Sequence, residues 1–173
     1  GWQAKGICVL HVGEYYGKIV KTNTVDIAGK LLIGGIFMDK ITVYTDGSAL
    51  NNGSADSGCG WACKLIYRGH EKMKSGGDKG KTNNVMEMTA VFQAMRAITD
   101  KSIPVEVFSD SKYVVETLNG NFRIKKNVEL WRELMAEKEK FVDIRFIWVK
   151  GHDKNVHNND VDRQAVAEAR KRG

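Results

Sequence analysis

Cysteine is scarce in this chain: there are three, Cys8, Cys59 and Cys63, and no two form a CxxC pair. An odd, sparse set excludes a disulfide framework and a structural zinc site, and it fits a reducing compartment. Long apolar runs are absent too. The longest, residues 31–38, is broken by Gly34 and Gly35 and falls far short of a bilayer span. The N-terminus lacks a signal-peptide layout, and an opening Gly in place of Met suggests a processed or engineered start. There is no internal repeat. These absences point to a cytoplasmic protein with no membrane partner and no obligate protein partner, expected to be a monomer.

Acidic residues are also in deficit. Lys and Arg number 27 against 21 Asp and Glu, giving a formal charge of +6 and a pI near 9.2. The surplus is spread along the chain, and it favours a polyanionic partner such as nucleic acid. At 173 residues, one domain with a small appendage is expected. Residues 1–38 read as an N-terminal extension without an evident role. Short strands are expected there at 7–12, 18–21 and 30–38. Residues 39–173 read as the functional domain.

That domain opens on ITVYTDGSA, residues 41–49. The β-branched run predicts a strand over 41–45 that stops on Asp46, with Gly47 and Ser48 turning the chain. A polar loop over 49–58 precedes strands at 60–67 and 70–75, joined by a tight turn at Arg68–Gly69. A flexible loop is expected at 76–81. Thr82–Asn84 offer N-cap oxygens to a helix over 85–98, whose apolar face is Met88, Val91, Met95 and Ile98. A strand at 105–108, helices at 111–118 and 128–138, a strand at 142–149 and a helix at 158–170 complete the order βββαβααβα. This is an α/β fold with a five-stranded mixed sheet, a three-strand antiparallel meander plus two parallel strands, flanked by helices.

Four acids hold special positions in this pattern. Asp46 ends the first strand and Asp110 the fourth. Glu87 lies early in the first helix, and Asp162 lies in the first turns of the last. Right-handed crossover makes strands one and four parallel neighbours where the sheet order reverses, which is where ligands bind. Adjacent strands are about 4.8 Å apart, so Asp46 and Asp110 can share an ion. Gathered carboxylates repel one another, and a divalent cation relieves the repulsion. Oxygen-only ligands select Mg²⁺ or Mn²⁺. Two such ions, about 3.5–4 Å apart, serve in-line phosphoryl displacement. A basic protein with such a cluster reads as a metal-dependent nuclease.

The motifs YTDGSA, TNNVMEMTA, SDSKYV, KNVELW and WVKGH followed by NNDVD resemble type 1 ribonuclease H, in order, over residues 41–170. The resemblance implies a ribonuclease H-like fold and endonucleolytic hydrolysis of the RNA strand of RNA–DNA hybrids. The implied products carry 5′-phosphate and 3′-hydroxyl ends, and the implied cofactor is a pair of Mg²⁺ or Mn²⁺ ions. By resemblance Asp46, Glu87, Asp110 and Asp162 hold the metal, with Asp46 bridging both ions, and His152 assists proton transfer or product release. Gly47, Ser48, Asn52, Asn83 and Asn84 face the RNA strand, while Thr82 and Asn127 hold a DNA phosphate. His157 reads as a plain loop histidine. The family's basic, Trp-rich protrusion is missing or much reduced here, to NGNFRIKK, residues 119–126, so hybrid affinity is expected to rest on Phe122, Arg123, Lys125 and Lys126 or on another part of the chain. Residues 1–38 do not match the family's N-terminal hybrid-binding module. The rival readings are a non-catalytic hybrid-binding module, a junction resolvase and a reverse-transcriptase-type ribonuclease H.

Overall fold

The computed structural model describes residues 24–25, 31–33, 36–151 and 155–173. The chain divides into two compact units, Gly1–Asp39 and Lys40–Gly173. In the first, β1 (Thr24–Val25), β2 (Leu31–Ile33) and β3 (Ile36–Met38) form a small antiparallel sheet in that order. The single strand expected over 30–38 is therefore two strands, paired Leu31 to Met38. The strands expected at 7–12 and 18–21 lie outside the described residues. No helix among the described residues is long and apolar enough to cross a membrane.

The second unit holds β4 (Ile41–Ala49), β5 (Gly58–Tyr67), β6 (His70–Lys79), α1 (Asn83–Ala97), β7 (Val105–Ser109), α2 (Lys112–Leu118), α3 (Val128–Lys138), β8 (Ile144–Trp148) and α4 (Val156–Arg172). The sheet order is β6-β5-β4-β7-β8. β4 pairs antiparallel with β5 and parallel with β7, and β7 parallel with β8. The order thus reverses at β4. This is the expected five-stranded mixed sheet, with Arg68 and Gly69 both at positive φ in the tight β5–β6 turn.

Strand alternation sorts the core into two layers. Val43, Cys63 and Val107 turn to one face, where they pack with Met88, Val91 and Met95 of α1, Val114 and Leu118 of α2, and Trp131 and Leu134 of α3. Their neighbours Tyr44, Ala62 and Phe108 turn to the other, against Val161 and Ala165 of α4. The helical periodicity of α1 is borne out by this burial. In the first layer the Trp131 indole N–H donates to the Tyr113 hydroxyl at 2.8 Å.

Most boundaries shift by one or two residues from expectation, and three of the differences matter for packing and the site. β4 does not stop at Asp46 but continues to Ala49, because residues 46–49 keep pairing with 59–62 of β5. Gly47 and Ser48 are therefore strand residues. β6 runs through residues 76–79, which had read as loop: Gly76 and Gly77 pair with Trp61 and Gly60. Lacking a side chain, Gly76 leaves room for the Trp61 indole, whose ring atoms lie 2.9 Å from where its Cβ would sit. α4 begins at Val156, two residues before the expected 158, because Asn155 caps it: its Oδ1 accepts from the His157 and Asn158 N–H groups.

α4 lies close on the sheet because β5 offers it backbone. A Cβ on Gly60 would stand 2.3 Å from the Ala165 carbonyl oxygen. The replacement Gly60→Ala must lift α4 or bend β5. Overpacking of this kind costs about 1–3 kcal/mol. Denaturant unfolding should show that loss, with an unchanged m-value.

Candidate active site

Asp46 and Asp110 reach the same end of the sheet from adjacent parallel strands, since Tyr44 stands opposite Phe108 and Thr45 opposite Ser109. Asp110 follows directly on the last residue of β7. Its position is fixed from two sides. The Ser111 N–H donates to Ser109 Oγ at 3.1 Å, and the Trp148 indole Nε1–H donates to the Asp110 backbone oxygen at 3.0 Å. Ser111, not Asp110, is the N-cap of α2.

Glu87 arrives from α1 on the other side of the strand, and Gly47 is the reason it can. A Cβ on Gly47 would sit 2.2 Å from the Glu87 backbone nitrogen and 2.4 Å from the Met86 carbonyl carbon. Only glycine lets α1 lie directly on β4. Glu87 is accordingly 5% exposed, as hidden as Asp46 at 6%. It is no solvated helix carboxylate.

One oxygen each from Asp46, Glu87 and Asp110 lie within 4.8 Å of one another. Asp46 Oδ1 accepts from the Gly47 N–H at 2.8 Å. Glu87 Oε2 is buried with no hydrogen-bond partner among the described residues. Burial, then the Asp110 charge, with a smaller share from Asp162, pushes the Asp46 carboxyl up to about 8. Burial, then the charges of Asp46 and Asp110, raises Glu87 well above the usual carboxylate range. The protein thus holds negative groups together at a cost. An unbonded buried carboxylate oxygen, hard ligands only and mutual repulsion together fit a divalent cation, and they fit no softer metal.

Asp162, on α4, stands outside this tight trio, though near enough for its charge to act on Asp46. His152 lies outside the described residues. Gly151, which leads into it, crosses Asp110 so closely that a Cβ there would meet Oδ2 at 2.7 Å.

The residues expected to touch substrate form a rim. Thr82 caps α1 by accepting from the Val85 N–H. Asn83 Oδ1 accepts from the Ala49 N–H at 3.2 Å, and the Asn83 N–H donates to Asn52 Oδ1 at 3.0 Å. That ties the 50–57 loop to the helix, with Asn52 held at φ 36°. Ser48 is half-buried beside Gly47 on β4. Asn127 is left-handed at φ 55° and caps α3 without a side-chain bond. Its Nδ2 lies 3.9 Å from Met88 Sδ. Asn84 and Asn127 line an open groove of about 510 Å³ with Tyr113, Phe122, Lys125 and Lys126. Arg123 lies on the same groove. Sequence reasoning missed Tyr113 and Trp148 as site residues, although both fall inside motifs it quoted. Their roles depend on hydrogen bonds that no spacing reveals.

The sequence model for the family described as RNase H matches residues 38–170. The chain belongs to the RNase H family. Among its relatives, the Ribonuclease H of Helicobacter acinonychis is 37% identical over 142 residues, covering 78% of this chain and 96% of that protein. The Ribonuclease HI of Helicobacter pylori is 36% identical over 143 residues, with the same coverage of both. The fold is that of solved family members. The N-terminal RNase H domain of a Mycobacterium tuberculosis protein superposes with a TM-score of 0.67 at 22% identity, covering 77% of this chain and 95% of that one. LC11-RNase H1, solved in complex with an RNA/DNA hybrid, gives 0.64 at 24% identity, covering 76% and 98%.

The raised carboxyls make stability depend on pH in a definite sense. Between the unfolded value of 3.8 and the folded value of about 8, folded Asp46 binds more proton than unfolded Asp46. Stability of the metal-free protein should therefore fall as pH rises through that window, and level off above it. Thermal unfolding in EDTA should show a falling Tm between pH 5 and pH 8. Addition of Mg²⁺ should restore it most at pH 8. The Asp46→Asn variant should lose less Tm over the same window.

Proposed function

We propose that this chain is an endoribonuclease that hydrolyses the RNA strand of RNA–DNA hybrids and leaves 5′-phosphate and 3′-hydroxyl ends. The observation that carries the reading is the trio Asp46, Glu87 and Asp110, with its oxygens within 4.8 Å of one another at the point where the strand order reverses. The relatives named Ribonuclease H support the substrate class, as does the neighbour solved with an RNA/DNA hybrid.

Asp46, Glu87, Asp110 and Asp162 would hold two Mg²⁺ or Mn²⁺ ions. Bound there, the ions would activate the attacking water and offset charge on the leaving oxygen. The protein's own part is positional. The burial of Asp46 and Glu87 keeps bulk water from competing for the carboxylates. His152 is assigned to proton transfer or product release. Gly47, Ser48, Asn52, Asn83 and Asn84 would lie along the RNA strand, where short polar groups can reach the 2′-hydroxyls of a wide minor groove. Thr82 and Asn127 would hold a phosphate of the DNA strand. The groove beyond them, with Phe122, Arg123, Lys125 and Lys126, would carry that strand onward. Residues 39–173 form the catalytic domain in this reading, and residues 1–38 are dispensable for chemistry. The enzyme acts as a cytoplasmic monomer, in keeping with Cys59 and Cys63, which are buried and unpaired.

A labelled RNA–DNA hybrid, with duplex RNA and duplex DNA as controls, tests this directly. In Mg²⁺ or Mn²⁺, the full chain and residues 39–173 should cleave only the hybrid, and EDTA should stop both. Asp46→Asn should fold normally and cut at least about 10³-fold more slowly, a barrier increase of roughly 4 kcal/mol. Binding that survives EDTA, without cleavage after Mg²⁺ is added, would mean that the chain is a hybrid-binding module instead.

The groove makes a separate prediction. The double replacement Lys125→Ala with Lys126→Ala should raise KM for the hybrid several-fold while leaving kcat unchanged. The slope of log affinity against log salt should become shallower by roughly one for each phosphate that is no longer neutralised.

A further inference from the structure

Beneath the carboxylates lies a layer of three rings that the chemistry above does not use. The Tyr44 and Phe108 rings stack with centroids 5.1 Å apart and planes 19° from parallel. The His157 imidazole lies on the same Tyr44 ring at 5.2 Å and 33°. Each ring belongs to an element that carries one of the acids. Tyr44 stands two residues before Asp46 on β4 and shares its sheet face, and Phe108 stands two residues before Asp110, which follows the end of β7. His157 stands one turn and a half before Asp162 on α4, about 7.5 Å along the helix axis.

We infer that the Phe108–Tyr44–His157 stack is a positioning device, which fixes α4, and through it Asp162, against the two strands that carry Asp46 and Asp110. The inference rests on the function proposed above.

Register makes the first half of the stack obligatory, since Tyr44 and Phe108 are direct partners across the parallel pair. The second half is built from α4. Its N-cap, Asn155, accepts from the His157 N–H with Oδ1 and donates from Nδ2 to the Tyr44 hydroxyl at 3.5 Å. A second tie runs alongside. Lys64, opposite Tyr44 on β5, reaches Asp160 Oδ2 at 3.0 Å and Glu71 Oε2 at 2.7 Å. The first turns of α4 are thus anchored to β4 through a ring and to β5 through a charge.

His157 contributes its plane rather than its nitrogen. Nδ1 is buried without a hydrogen-bond partner among the described residues, and Glu71 Oε1, at 3.9 Å, is beyond hydrogen-bond reach. An unpaired buried nitrogen is a cost that an aliphatic side chain would avoid. A flat ring is what seats against Tyr44. A phenyl group should therefore replace the imidazole, and a methyl group should not.

The full chain and its His157→Ala, His157→Phe and Phe108→Leu variants are compared in hybrid cleavage and in the Mg²⁺-dependent rise of Tm. His157→Ala is expected to lower kcat about tenfold, equivalent to roughly 1.4 kcal/mol on the barrier. KM should stay within about twofold, and several-fold more Mg²⁺ should be needed for the thermal response. His157→Phe should restore both. Phe108→Leu, which removes a ring from the opposite side of the stack, should repeat the kcat loss, and it decides the matter if His157→Ala does not fold. Wild-type kcat and Mg²⁺ response in either ring-deleting variant would overturn the inference, as would a Phe variant as impaired as the Ala variant. Failure of the wild-type chain to cut a hybrid would instead sink the functional reading. The thermal response to Mg²⁺ would still report on the stack.

Discussion

Everything near the candidate site follows from one constraint: two almost wholly buried carboxylates are held against a third. Locally the Gly47 N–H, which donates to Asp46 Oδ1, favours the charged form. Burial disfavours the charged form of each, and each charge disfavours the others. The raised Asp46 and Glu87 carboxyls record that conflict. Such an arrangement persists only if the scaffold around it is stable enough to impose it, and here the scaffold is the sheet itself. Asp46 sits inside a nine-residue strand with paired neighbours on both edges. Glu87 is carried on a helix laid against that strand through Gly47.

The two faces of the sheet share the task unequally. The face with α1, α2 and α3 holds the larger apolar cluster, including the fully buried Met88, Trp131 and Leu134. It fixes Glu87 rigidly. The face with α4 is thinner: Tyr44, Ala62, Val161 and Ala165, with Phe108 and Ile66 at its border. It compensates with specific ties, the ring layer and the Lys64 ion pairs. The acids in these ion pairs are open to water, Glu71 at 47% and Asp160 at 22%, so the pairs add little net stability and serve to orient the helix. On this face orientation is therefore set by a few named contacts, whereas on the other it is set by bulk packing.

This division explains what was legible beforehand. Element order, the reversal at β4 and the buried face of α1 follow from periodicity and crossover rules, which report bulk packing well. Asp46, Glu87 and Asp110 could be singled out because, with Asp162, they fall where parallel strands and early helix turns converge on one rim of the sheet; each alone would read as an ordinary turn, cap or helix-surface acid. The extent of β4 and β6 was not legible. Gly47, Gly76 and Gly77 read locally as turn residues, and only the backbone of α1 at Gly47, the opposing Trp61 at Gly76, and Glu168 and Arg172 of α4 at Gly77 show that they are close-approach residues instead. The place of His157 was not legible either. A histidine near a loop says nothing of the tyrosine ring that comes to lie on it from more than a hundred positions earlier in the chain.

Charge shows the same separation of roles. The carboxylate trio is a local negative centre, and without cations it would repel a phosphodiester. The net charge of +6 must therefore act elsewhere. Arg123, Lys125 and Lys126 line the groove beyond Asn127 and do not enter the carboxylate site. Under the proposed function, affinity and chemistry then depend on different ions. Phosphates along the groove are bound by displacing condensed counterions, an effect that weakens steeply with salt. The carboxylates would instead hold divalent ions in a site largely shielded from screening by its burial. Under that reading the basic segment 119–126 would supply only the first of these and none of the second.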